Sequence, residues 1–415
     1  MVTHATSRGL GESGSARPDR YAWRTVLASA VGYGLDGFDL LILGFALSAI
    51  TSDLRLTSVQ AGSLATLTLL GAVVGGVLFG VLSDRCGRIR MLTWSILVFA
   101  VFTGLTALAR DYPQLVAFRF VAGIGIGGEF GIGMTLVAEA WPAGLRARAT
   151  SLVGIGWQAG VLVAALVSAP VLMSWGWRGL FALGAVPAVV AVLFRRRVAE
   201  SPVFLADQAG SARKSVASPL TALVSDGRTI IAGIGVLVLT SVQNFGYYGL
   251  MTWLPTYLST RFHYSLLQSA GWTAVTVAGM AAGILLFGQL ADRTGRRPAF
   301  WIFQLGAFVS VLVYSQLTSP AALLVGGAVM GAFANGMLGG YGALIAELYP
   351  TAARATAQNV LFNLGRAVGG FAPVVVAVVA AARGFAIAIG LLALIYLLDI
   401  AAMFLIPRQR SDASL

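Results

Sequence analysis

The chain has 415 residues, of which 58% are hydrophobic and only 11% charged, and apolar runs of about 20 residues, the length that crosses a bilayer core, recur along it. That charge is too sparse for the surface of a soluble enzyme of this size, and the 51 glycines suit helices that approach closely within a membrane. The formal charge of +12 invites a nucleic-acid reading, which the placement of the basic residues then excludes; the lone Cys86 excludes a disulfide framework and a cysteine metal site, and His4 and His263 fall in expected loops.

From the N-terminus, residues 1–22 form a polar tail with no apolar run or cleavage site, so the first helix is expected to stay attached and to act as the signal. Hydropathy then gives spans at 23–49, 59–83, 91–109, 113–139, 147–173 and 177–194, an N-terminal six-helix bundle over 23–194. A mixed-charge, Ser- and Ala-rich stretch at 195–228 is expected to be a cytoplasmic linker with at most one amphipathic turn. Six further spans follow at 229–258, 265–291, 298–317, 319–346, 353–381 and 384–406, forming a C-terminal bundle over 229–406 before the tail at 407–415. Assigning the 28 basic residues to alternate sides puts 21 with the termini and five opposite, leaving Arg119 and Arg366 inside helices. The positive-inside rule therefore predicts both termini in the cytoplasm. The fold class expected is an all-α membrane protein of twelve transmembrane helices in two pseudo-symmetric halves.

A repeat supports that division. "GVLSDRCGRIR" at 80–90 recurs as "GQLADRTGRRP" at 288–298, and "EAWPAGLRARAT" at 139–150 recurs as "ELYPTAARATAQ" at 347–358, both displaced by 208 residues. Two motifs agreeing on one offset point to duplication, a transporter design that places the binding site between the halves.

With these motifs the chain resembles the major facilitator superfamily over nearly its whole length. Gly80, Asp84, Arg85, Gly87, Arg88 and Arg90 match the signature loop between the second and third helices, with Ile89 replacing a usual basic residue. Gly288, Asp292, Arg293, Gly295, Arg296 and Arg297 match its second copy. The resemblance implies cytoplasmic latches, with Asp84 and Asp292 capping neighbouring helix N-termini and Arg85, Arg88, Arg293 and Arg296 available to Glu139 and Glu347.

In chain order, the ionisable groups expected inside the membrane are Asp36 and Asp39 in the first span, Arg119 and Glu129 in the fourth, Arg366 in the eleventh and Asp399 in the twelfth. Gly123, Gly125 and Gly128 have dinucleotide-binding spacing but lie within an apolar span, so they are read as packing glycines. The only lysine, Lys214, lacks a phosphate-loop context, so no ATP motor is encoded and an ion or substrate gradient must supply the energy. Asp36 lies twelve residues beyond Arg24, and Arg366 twelve beyond Arg354, which puts each about 18 Å from the basic side. From depth, Asp39 and Arg119 are expected to form a switchable pair, with Asp36 the deeper proton site and Glu129 a competing carrier. Under the 208 offset, Asp36 corresponds to Asn244, Asp39 to Tyr247 and Arg366 to Gln158, so acidic groups gather in one half and the midplane arginine in the other. Arg366 offers a planar fork for a carboxylate. Gln158, Gln243, Asn244 and Asn363 are expected to add hydrogen bonds, and Phe130, Trp157, Tyr247 and Tyr248 to add aromatic walls.

Within the superfamily, "LDGFDLLILG" (35–44), "GGEFG" (127–131), "ESPVF" (200–204) and the run at 347–373 resemble the sialate:proton and aromatic-acid:proton symporters. That resemblance implies proton-coupled uptake of an organic anion, such as an aromatic acid, a sialic or sugar acid, muconate or a short monocarboxylate. Efflux, or uptake of a different metabolite or drug, stays open as the alternative. The expected partners are the anion, protons and the lipid bilayer, with no cofactor, metal or nucleic acid, in a monomer of the bacterial cytoplasmic membrane. A receptor or an integral membrane enzyme is disfavoured by the short tail and the want of a His, Cys or metal cluster.

Overall fold

The computed structural model describes residues 18–186, 189, 198–211, 218–262 and 266–407. His4, Lys214, His263 and most of both tails fall outside these. The described residues form helices and no strands. In the first half these are α1 Arg20–Asp53, α2 Ser58–Cys86, α3 Arg88–Thr106, α4 Tyr112–Ala140 and α5 Arg146–Leu183, and the linker contributes α6 Pro202–Ser211. The second half holds α7 Gly227–Phe262, α8 Leu266–Thr294, α9 Arg296–Tyr314, α10 Pro320–Gly336, α11 Leu338–Leu348, α12 Arg354–Gly369, α13 Ala372–Arg383, α14 Phe385–Leu392 and α15 Ile395–Ala402.

The ends follow from local chemistry. Asp19 caps α1 through the Ala22 amide at 2.8 Å, Thr57 and Gln60 form a capping box on α2, and Asp111 accepts from the Gln114 amide at the start of α4. Gly87 and Gly295, 208 residues apart, take φ of 106° and 92° and turn the chain sharply into α3 and α9.

Among the described residues, eleven helices are long and apolar enough to cross a membrane. The expected sixth span is merged into α5, where Gly176 at φ 64° breaks the helical path at the boundary between the fifth and sixth spans. Of 177–194, the helix is described as far as Leu183. The expected tenth span is α10 with α11, the eleventh α12 with α13, and the twelfth α14 with α15.

Within the first half α1 packs on α5 and α2 on α4; the second half repeats this with α7 on α12 and α8 on α10. The glycine run of α4 serves packing. A methyl group on Gly123 would collide with the Thr68 carbonyl of α2, and one on Gly127 with that of Ala72. The halves meet where α2 and α4 face α12 and where α5 faces α8 and α11. Leu27, Leu78, Leu108, Leu166, Leu286 and Leu398 face outward, as lipid-covered helices require.

Candidate functional site

Two layers join the halves. The first lies on the basic face and follows the repeat. Asp84 at the end of α2 accepts from the Ala355 and Thr356 amides at 3.2 and 2.8 Å, and from the Thr356 hydroxyl, capping α12 of the opposite half. Asp292 at the end of α8 accepts from the Ala147 and Arg148 amides at 3.1 and 3.0 Å, capping α5 in return. Arg88 pairs with Glu139 at 3.1 Å and donates to the Thr351 carbonyl. Arg296 pairs with Glu347 at 2.9 Å and donates to the Ala143 carbonyl. Apart from the Thr356 hydroxyl bond, whose counterpart position is Arg148, each of these contacts maps onto its counterpart at the offset of 208. Carboxylates on helix N-termini and charge-assisted bonds thus link the two halves on the basic face.

Arg85 and Arg293 are exposed instead, and no described ion pair involves them. Their places in the motif put them on the outer side of the turn. The sequence also understated the linker. Glu200 accepts from the Arg88 and Ile89 amides, Ser201 donates to Glu139 at 2.5 Å, and the Phe204 ring lies 4.5 Å from the Arg88 guanidinium carbon. The segment 200–204 is thus part of the first latch, and Arg354 adds a third partner for Glu139 at 3.3 Å.

The second layer is at mid-depth. Asp39 receives two bonds from Arg119, at 2.8 and 3.2 Å, and one from the Thr103 hydroxyl at 2.7 Å, so its charge is satisfied within the first half. Asp36, three residues earlier, points to the other half, where its Oδ2 meets Arg366 at 3.2 Å. Arg366 is 2% exposed and lies 5.3 Å from the ring centres of both Trp157 and Phe362. Its Nε and Nη1, Asp36 Oδ1 and both Glu129 oxygens are buried without a hydrogen-bond partner among the described residues. Glu129 faces α1 at Gly32, one turn before Asp36.

Arg366 opens into a cavity lined by Tyr33, Trp157, Gln243, Asn244, Tyr247, Tyr248, Asn335, Leu338 and Phe362. Trp157 donates to the Tyr247 hydroxyl at 3.2 Å across the halves, and Gln243 donates to Asn335 at 2.6 Å. Five of the residues expected around Arg366 are therefore gathered there. Three are not. Asn363 donates to the Gly127 and Asn359 carbonyls at the α4–α12 contact, Gln158 turns to the Met280 sulfur, and Phe130 stacks beneath Phe362 with centroids 3.5 Å apart. Tyr33, Asn335 and Phe362 were not singled out in the sequence. Tyr33 lies one turn before Asp36 and was within reach of the same helical spacing, whereas Asn335 and Phe362 carry no signal that separates them from core residues.

A cationic fork in an aromatic and amide-lined chamber between two halves, with carboxylates beside it and a shut face below, suits capture of an anion in a two-sided carrier. The comparisons agree with a carrier. The family model described as Major Facilitator Superfamily matches residues 29–314 and 267–415. A Haemophilus influenzae protein named "Putative metabolite transport protein" is 59% identical over 95% of this chain and 98% of its own length. A Cupriavidus pinatubonensis protein named "Probable 4-methylmuconolactone transporter" is 33% identical over 94% of this chain and 91% of its own. Among solved structures, the proton:xylose symporter XylE superposes with a TM-score of 0.78 at 20% identity, covering 94% of this chain and 97% of that one, a likeness of fold. By that model and these relatives, the chain belongs to the major facilitator superfamily and is a metabolite transporter rather than an enzyme.

Proposed function

We propose that the protein imports an organic carboxylate together with a proton, by alternating access, across the cytoplasmic membrane of a bacterium, with its basic face in the cytoplasm. The observation that carries this reading is Arg366, a buried guanidinium between the halves whose Nε and Nη1 have no described partner while Nη2 holds Asp36. An incoming carboxylate would take the open side of the fork and compete with Asp36 for it. That adds a negative charge to a site that already holds Asp36 and Glu129. Burying three carboxylates beside one guanidinium is costly, and a proton taken up on Asp36 or Glu129 relieves the cost. We assign the coupling proton to these two groups. Asp39, already held by Arg119 and Thr103, serves as a brace in this reading.

The aromatic rings and the amides of Gln243, Asn244 and Asn335 favour a small, flat acid, and the lactone transporter named above is compatible with that choice. Quenching of Trp157 fluorescence by a panel of acids, including hydroxybenzoates, nicotinate, muconate, lactate and sialic acid, tests the anion site. One class of acid should bind, and Arg366→Ala should weaken it by about 10- to 100-fold, the value of a charged hydrogen-bonded contact. Unchanged affinity in Arg366→Ala, or binding of neutral sugars or cationic drugs in place of acids, would return the reading to uptake or efflux of a different metabolite.

A further inference from the structure

We propose that a groove at the seam between α5 and α8, on the basic face, is a site for one anionic phospholipid. The groove encloses about 330 Å³ and is separate from the Arg366 cavity. Trp141 and Leu152 form its wall in the first half and Leu285 its wall in the second, so an acyl chain lying in it would touch both halves at once. Its rim is open to the bilayer: Trp23 is 52% and Leu285 39% exposed, and an exposed tryptophan at the start of a span is suited to the headgroup level.

Charge selects the headgroup. Arg148 lines the groove with a side chain 40% exposed, and its described ion pair is a 3.5 Å contact from Nε to Asp292, which leaves the terminal nitrogens of the fork with no described hydrogen bond or ion pair. Arg20 and Arg24 flank Trp23 on the exposed first turns of α1. A basic pocket between helices at this level, with an apolar channel leading from it, fits a phosphate above an acyl chain. The site also adjoins a latch, because the Arg148 amide is one of the two that Asp292 caps. A lipid seated there bridges the halves only while that face is shut, and so stabilises the shut form.

The full-length protein, stripped of lipid in detergent, is titrated with phosphatidylglycerol or phosphatidylcholine and weighed intact by native mass spectrometry. One phosphatidylglycerol should be retained in preference to phosphatidylcholine by about fivefold, the value of one arginine at a lipid surface. Arg148→Gln should abolish the preference, and Leu152→Trp or Leu285→Trp, which fill the groove from either half, should abolish retention of both lipids. Equal retention of the two lipids by the unsubstituted protein, or an undiminished preference in Arg148→Gln, would overturn the proposal. So would full retention in both tryptophan variants, each first shown to unfold at the temperature of the parent.

Discussion

Asp36 and Asp39 are one helical turn apart, yet they do different work because a step of three residues rotates a side chain by about 60° around the helix axis. That rotation aims Asp39 at Arg119 inside its own half and Asp36 at Arg366 in the other. Replacing Asp39 by Ala leaves Arg119 buried and unpaired, which should cost about 3–5 kcal/mol and lower the unfolding temperature of the purified protein. Glu129→Gln keeps the shape and removes a titratable carboxyl group that has no described partner. Its stability should stay within about 1 kcal/mol of the parent, while carboxylate uptake loses its dependence on the proton gradient. A Glu129→Gln protein that still couples uptake to protons would move the carrier role to Asp36 alone. The sequence made these charges legible through depth and spacing. It did not show which side of α12 faces the cavity, and for that reason Asn363, three residues from Arg366, was expected in the chamber but lies at the α4 contact.

At the scale of elements, the latches are two copies of one device. The carboxylate at the end of α2 caps α12, the carboxylate at the end of α8 caps α5, and a glycine with positive φ turns the chain away after each. This much could be read from the repeat, since a motif that recurs with its partner segment at the same offset implies reciprocal contacts. The contribution of 200–204 could not, because an acidic residue, a serine and a phenylalanine in a linker carry no periodicity that ties them to a distant arginine. Asp84→Ala removes three hydrogen bonds between the halves and should weaken the shut face by about 1–2 kcal/mol, a 5- to 30-fold shift toward the open form. Spin-label distances between the ends of α2 and α12 would report it as a longer second population. Asp292→Ala should do the same between α8 and α5. An asymmetric outcome, with one variant opening and the other silent, would show that the linker contacts present on only one latch dominate.

For the whole molecule, the two halves divide the chemistry. The first supplies Asp36 and Glu129, the second supplies Arg366, and the described Asp36–Arg366 ion pair joins them at mid-depth. The hydrogen bonds that bridge the halves run from the basic face up to Trp157–Tyr247, so rocking about that level would exchange a shut lower face for an open one without dismantling either bundle. Composition, span length and the 208-residue offset made this architecture legible before any coordinate. The register between halves was not, because it depends on side-chain direction around each helix, which a single sequence does not encode. In the proposed cycle, carboxylate and proton share the Asp36–Arg366 site and move together. The most direct measurement is the internal pH of proteoliposomes after each acid is added outside, with the parent protein and with Asp36→Asn. Acidification evoked by one class of acid, and lost in Asp36→Asn while labelled acid still binds, is the predicted result. Uptake of that acid with no pH change in the parent protein would contradict it.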